Sequence, residues 1–162
     1  MRYLALLLLL ALDIVAKMGA IAWIPPIGRG GYPFGGVGIF SDFLGISFSL
    51  NYVVNTGAAC GLFPGYPGLL FGLRLTIILG LILYLVLFKR AASGTFPLWL
   101  VVTGAIGNAC DFILYGHVID FFHFNFWGHS FPVFNFADSY ISIGVAFLLL
   151  FEAFKKKTPQ PV

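Results

Sequence analysis

Four long apolar runs divide the chain, at roughly 3–24, 69–88, 96–114 and 136–154. Each holds about 19 to 22 residues, and none alternates with period two. Each therefore predicts a helix able to cross ~30 Å of hydrocarbon at about 1.5 Å per residue. Between the first two runs the pattern changes. Pro25, Pro26, Gly28, Gly30, Gly31, Pro33, Gly35 and Gly36 form an irregular stretch. Gly45 to Tyr52 then alternates small or polar with apolar residues, and Val53 and Val54 extend it. That alternation predicts one or two short strands, in a small sheet spanning about 37–63. Residues 115–135 predict only a connecting segment, and 155–162 a disordered tail.

Composition settles which solvent these runs meet. The chain is 60% hydrophobic and 9% charged, where a soluble domain carries about 25% charged residues. So few charges cannot cover a globule of 162 residues. Lipid allows helix bundles or closed barrels, because every backbone polar group needs an internal partner. The long runs select the helices: a single polytopic α-helical membrane domain over 1–162. Arg2 followed by Leu4 to Leu12 resembles a secretory leader, but the apolar pattern continues past Asp13 and Lys17 without a small-residue cleavage site. A retained first helix is expected.

Charge placement gives the orientation. Basic residues cluster at Arg2, at Lys89 and Arg90, and at Lys155, Lys156 and Lys157. Four spans put all three clusters on one side, the cytoplasmic side by the positive-inside rule. Both termini are then cytoplasmic, and 25–67 and 115–135 lie outside. No basic stripe interleaves with aromatics on one element, which excludes a nucleic-acid partner. Cys60 and Cys110 have no zinc-type spacing. Two buried thiols are expected, with a disulfide left open.

Ionisable groups in membrane segments are costly and mark candidate sites. Asp13 and Lys17 lie in the first run, Arg74 in the second, Asp111 near the outer end of the third, and Asp138 at the outer start of the fourth. Asp120 lies in the outer segment. Asp111, Asp120 and Asp138 thus fall at one interface. Two facing carboxylates can share a proton, one taking a proton from water while the other polarises a carbonyl. The structural alternatives are plain: a helix cap or dipole partner at Asn135 or Asp138, and a solvated loop carboxylate at Asp120. Asp13 and Lys17, four residues apart, share a helix face and predict a mutually neutralising pair that pins the first helix. Arg74 is expected to snorkel toward outer headgroups. Gly68 and Gly72 predict a close helix contact. His117, His123 and His129 are spaced six residues apart, off a single helical face, and predict partly solvated side chains rather than a metal site.

Several stretches together resemble the prolipoprotein signal peptidases, or signal peptidase II. Asn55-Thr56-Gly57-Ala58-Ala59 is similar to that family's Asn-x-Gly-Ala-Ala motif. Gly107-Asn108-Ala109-Cys110-Asp111 resembles Gly-Asn-x-x-Asp, and Gly116-His117-Val118-Ile119-Asp120-Phe121 resembles Gly-x-Val-x-Asp-Phe. Phe134-Asn135-Phe136-Ala137-Asp138-Ser139 resembles Phe-Asn-x-Ala-Asp-Ser, and Asp13 and Lys17 match an Asp-x-x-x-Lys pair. The chain departs from the pattern at Phe112, where the family has Arg, and at Cys60, where it has Phe.

The resemblance implies a cofactor-free and metal-free aspartic endopeptidase of the bacterial inner membrane, sensitive to globomycin. It implies cleavage of diacylglyceryl prolipoproteins just before the lipidated cysteine, by a monomer whose partners are substrate and membrane lipid. Asp120 and Asp138 match the catalytic pair; Asn55, Gly57, Asn108, Asp111 and Asn135 match supporting or substrate-binding positions. Four transmembrane helices, an outer β-cradle and a short outer amphipathic helix are the implied fold. Two other classes stand beside it. In a transporter or assembly subunit, Asp13, Lys17 and Arg74 would line a path, but the polar residues gather at the outer edge. A family member inactivated through Phe112 would keep the fold and the binding without cleavage.

Overall fold

The computed structural model describes residues 2–25, 36–57, 66–88 and 93–155. Its helices are α1 (Arg2–Trp23), α2 (Pro67–Phe88), α3 (Phe96–Tyr115) and α4 (Phe136–Lys155). Each contains an apolar stretch of 19 to 21 residues, long enough to cross a bilayer. Large apolar side chains such as Leu7, Leu8, Val15, Leu79 and Leu149 stay exposed on their outer faces. In water such faces would be unstable; in lipid they are the solvated surface.

Local sequence sets the helix ends. Pro97 opens α3, where its missing N–H has no helical partner to lose. Gly116 closes α3 at φ 77°, and its N–H donates to the Phe112 carbonyl at 2.9 Å. A side chain there would strain the left-handed turn that leads straight into the sheet.

Helices α3 and α4 make the tightest pair, and glycine permits it. A Cβ on Gly104 would strike the Ala137 carbonyl, and one on Gly144 would come 2.7 Å from the Pro97 carbonyl oxygen. The close contact predicted at Gly68 and Gly72 is not there: a Cβ at either would meet nothing within 4 Å. Small residues allow close packing only where a partner helix arrives, and α2 stands off along that face.

A four-stranded antiparallel sheet, ordered β1-β2-β3-β4, caps the bundle. Its strands are β1 (Val37–Phe43), β2 (Ile46–Asn55), β3 (Val118–Phe126) and β4 (His129–Ser130). Half of the sheet thus comes from 115–135, which the pattern predicted only as a connection. The signal is present in Val118–Phe126, rich in β-branched and aromatic residues and bounded by Gly116 and Gly128. Two tight turns close the hairpins. Leu44 and Gly45 sit at φ 55° and 80°, and Trp127 and Gly128 at 49° and 83°. Paired positive φ values suit two-residue connections between twisted strands. Phe126 and Phe134 flank Phe124, whose ring also stacks on Phe48 at 4.5 Å. On the opposite face Ile119 and Phe121 pack with Ala20 and Ile24 of α1, which seats the sheet on the bundle.

Ala58, Ala59, Cys60, Lys89, Arg90, Lys156 and Lys157 lie outside the described residues, as does most of the Pro/Gly stretch. The short outer helix has no counterpart among the described residues. Cys110 is a half-buried free thiol.

The glycine contacts give a direct test. Gly144→Leu should lower the thermal midpoint in detergent, a loss of roughly 1–3 kcal/mol from overpacking. Gly80→Leu, whose added Cβ meets nothing within 4 Å, should leave the midpoint close to wild type.

Candidate active site

The site begins with a lysine buried inside the bundle. The Lys17 ammonium on α1 lies 2.8 Å from Asp13 Oδ2 and 2.8 Å from Asp111 Oδ2, and donates to Asn108 Oδ1 at 2.9 Å. Three acceptors match its three N–H donors. Lys17 is 1% exposed and Asp13 0%, so bulk solvent does not reach them. The expected Asp13–Lys17 pair exists, but it is the corner of a larger cluster joining α1 to α3. Asp13 Oδ1 also accepts the Ala137 N–H at 2.9 Å, which ties α1 to the first turn of α4. That donor is unpaired within any helix, and the dipole there favours a carboxylate.

The network then passes through uncharged amides to two further carboxylates. Asn108 Nδ2 donates to Asp138 Oδ1 at 2.8 Å. Asn135 Nδ2 reaches Asn108 Oδ1 at 3.1 Å, the Ile119 carbonyl at 3.2 Å and Asp120 Oδ1 at 2.7 Å. Asn55, at the end of β2, donates to Asp120 Oδ2 at 3.0 Å. Asp120 on β3 and Asp138 on α4 are therefore linked through the Asn135 and Asn108 amides, and both line one cavity of about 750 Å³. The cavity continues along Ile77, Leu81, Val101 and Ile141, so its walls are apolar away from the carboxylates.

Asp138 also caps its helix. The Asp138 N–H donates to Asn135 Oδ1 at 2.8 Å, and the Asn135 N–H donates to Asp138 Oδ2 at 3.3 Å. This reciprocal box fixes the start of α4 and the carboxylate together. The structural role and the site role, posed as alternatives by the sequence, coexist in one residue.

Electrostatics separate Asp120 from an ordinary surface carboxylate. Asp120 is 2% exposed. Burial raises its pKa from 3.8 to about 7, and the charge of Asp138 adds to the rise. The Asn55 and Asn135 hydrogen bonds and the Lys17 charge oppose it. Desolvation and a like charge both disfavour ionisation, whereas donors to the carboxylate favour it.

Every residue singled out from the sequence as a site candidate enters this arrangement. Asp111 accepts the Ile119 N–H at 3.1 Å besides its ion pair, and so holds the start of β3. Gly57 donates its N–H to Asn55 Oδ1 at 3.0 Å. Arg74 departs from expectation: it turns inward, donating to the Gly57 carbonyl at 2.6 Å and lining the cavity. Phe112 stacks on Phe71 of α2, with centroids 4.6 Å apart. His123 is buried rather than partly solvated, at 3% exposure. Its ring nitrogens meet Ser49 Oγ at 3.3 Å and Ser130 Oγ at 2.8 Å. Burial lowers its pKa. Ser49 pairs with His123 across the strands, and only that register, invisible in sequence, brings them together.

Comparison with known proteins gives this geometry a context. Residues 5–154 match the family model described as Signal peptidase (SPase) II. The chain belongs to the signal peptidase II family. The lipoprotein signal peptidase of Chlamydia pneumoniae is 48% identical over 64% of this chain and 62% of its own length. That of Chlamydia trachomatis serovar D is 36% identical over 98% of this chain and 94% of its own length. The match to the first of these spans under two thirds of the relative, whereas the second is matched nearly end to end. A solved bacterial membrane enzyme is similar at TM-score 0.77 and 27% identity, covering 99% of this chain and 93% of that one. A second has TM-score 0.74 and 26% identity, covering 97% and 94%. Within the family fold, the four long helices and the sheet place the amide-linked carboxylates at one end of the bundle.

The buried lysine offers the sharpest check on this network. Lys17→Met would leave Asp13 and Asp111 without their cation inside the bundle. A loss of roughly 3–5 kcal/mol is expected, read as a large drop in thermal midpoint in detergent.

Proposed function

We propose that this signal peptidase II family member is a membrane aspartic endopeptidase that uses Asp120 and Asp138 as its catalytic pair. Its substrates are diacylglyceryl-modified prolipoproteins, cleaved just before the lipidated cysteine. The observation that carries this reading is the pair of carboxylates on one cavity, joined by Asn135 and Asn108 and half surrounded by apolar wall.

The chemistry follows from the environment. One carboxylate must be ionised to take a proton from the attacking water, and the other protonated to polarise the scissile carbonyl. A carboxyl that titrates near 7 is about half protonated at neutral pH, where an ordinary aspartic acid is almost wholly ionised. Attack gives a tetrahedral intermediate. Its collapse breaks the C–N bond, and a proton from the pair goes to the leaving amine. The amides of Asn55, Asn108 and Asn135 hold both carboxyl groups without adding net charge, so the pair can still share one proton.

The apolar wall suits the substrate. A signal segment is helical and apolar, and the diacylglyceryl group needs lipid beside it. A cavity lined by Ile77, Leu81, Val101 and Ile141 accepts such a chain, while the carboxylates sit at the sheet end of the bundle. The proposed orientation puts that end outside and the Lys89, Arg90 and Lys155–Lys157 clusters inside.

Two substitutions test the pair. Asp120→Asn and Asp138→Asn should each lower cleavage of a diacylglyceryl prolipoprotein by roughly 10²–10⁴-fold, measured by gel shift with purified protein. Retained cleavage by either would remove that residue from the mechanism. The pH profile should be bell-shaped, with its alkaline limb near the Asp120 value of about 7. Linkage supplies a folding control. The folded-state pKa of Asp120 lies above 3.8, so its ionisation destabilises the fold progressively as pH rises from that value to about 7. Asp120→Asn should therefore be more stable than wild type at pH ~8 and nearly equal at pH ~4.

A further inference from the structure

Arg74 is the one cation among the described residues lining the cavity, and its contact is specific. It does not meet either carboxylate of the pair. Its Nη2 donates to the Gly57 carbonyl at 2.6 Å. The Gly57 N–H donates in turn to Asn55 Oδ1 at 3.0 Å. Asn55 Nδ2 then donates to Asp120 Oδ2 at 3.0 Å. Three hydrogen bonds run in line from α2, through the turn after β2, to the carboxylate.

We propose that Arg74 is a positioning residue that acts on Asp120 through Gly57 and Asn55. The logic is geometric. An asparagine carboxamide can rotate, and its amide and carbonyl ends can exchange. The Gly57 N–H fixes which end is the acceptor, so Nδ2 is left to donate to Asp120. That N–H is aimed correctly only while the turn is held, and the chain leaves β2 immediately before it. The guanidinium holds the turn by its carbonyl. Helix α2 is in turn seated by the stack of Phe71 on Phe112 at 4.6 Å. Phe71 and Arg74 are three residues apart and share a helix face. The aromatic stack thereby sets the height from which Arg74 reaches Gly57.

The relay has a titration signature. A donor to the ionised carboxylate favours ionisation, and the Asn55 bond is among the forces that hold Asp120 down. The other charged groups around Asp120 are Asp138 on α4, Lys17 on α1, and the Asp13 and Asp111 carboxylates bound to Lys17. None of these is touched by Arg74. Loss of Arg74 should release Asn55 and raise the Asp120 titration by about one pH unit, the worth of one charge-assisted hydrogen bond. The alkaline limb of cleavage should move up by the same amount, with kcat falling more than KM rises. A merely structural defect would lower the rate at every pH and leave the limb in place.

This inference rests on Asp120 being a member of the catalytic pair, but its decisive test does not require cleavage. The Asp120 carboxyl carbon is titrated by NMR in ¹³C-aspartate-labelled protein, its signal assigned by its loss in Asp120→Asn. Wild type, Arg74→Met, Asn55→Ala and the double variant form a cycle, and Arg74→Gln replaces Arg74→Met should the latter not fold. The relay predicts that both single variants raise Asp120 and that the double variant raises it no further. Additive shifts would mean that the Arg74 charge acts on Asp120 directly, and an unshifted Arg74 variant would mean no action at all; either overturns the proposal. Cleavage by Asp120→Asn would instead overturn the catalytic pair and leave the relay standing as a structural fact.

Discussion

The ammonium of Lys17 is the interaction on which the rest of the structure depends. A bare charge inside a bundle is very costly, so the chain must bring acceptors to it. Asp13 comes from the same helix and Asp111 and Asn108 from α3. Satisfying the lysine therefore locks α1 against α3. Asp13 extends the lock to α4 through Ala137, and Asp111 extends it to β3 through Ile119. Such clusters specify one arrangement more than they stabilise it. Here the arrangement specified is the meeting of the inner face of α1, the end of α3, the start of α4 and a strand.

What grows from that lock is a graded environment. Lys17, Asp13 and Asp111 form the charged cluster inside the bundle, and neutral amides link it to the Asp120–Asp138 pair on the cavity. Amides are suited to the middle position because each donates and accepts without adding net charge. A further lysine there would ionise both carboxylates and remove the proton that the proposed chemistry needs. An apolar residue would leave Asp120 oxygens unpaired in a buried site. Asn135 meets both demands while capping α4, and Asn55 meets them from the sheet.

Much of this was legible in the sequence, and for physical reasons. A membrane helix writes itself as an uninterrupted apolar run, so all four were visible. Ionisable residues in such runs are too costly to be incidental, which picked out Asp13, Lys17, Asp111 and Asp138. Partner identity was less legible. The spacing of Asp13 and Lys17 reveals a shared face, but nothing local shows that Asp111 and Asn108 converge on the same ammonium. Arg74 reads as a snorkelling residue because the sequence gives no sign that Gly57 lies within its reach. Gly68 and Gly72 show the converse: the motif for close packing is present, but the neighbouring helix is not. Strand β3 was missed although its alternation is clear, because an aromatic-rich connection between two spans resembles an interfacial loop.

The most direct test of the account is a structure of the protein with a non-cleavable prolipoprotein mimic, carrying a secondary hydroxyl in place of the scissile carbonyl. The account predicts that hydroxyl within hydrogen-bond distance of both Asp120 and Asp138, with the signal segment along Ile77, Leu81 and Val101. A mimic that binds with its hydroxyl away from either carboxylate would contradict it.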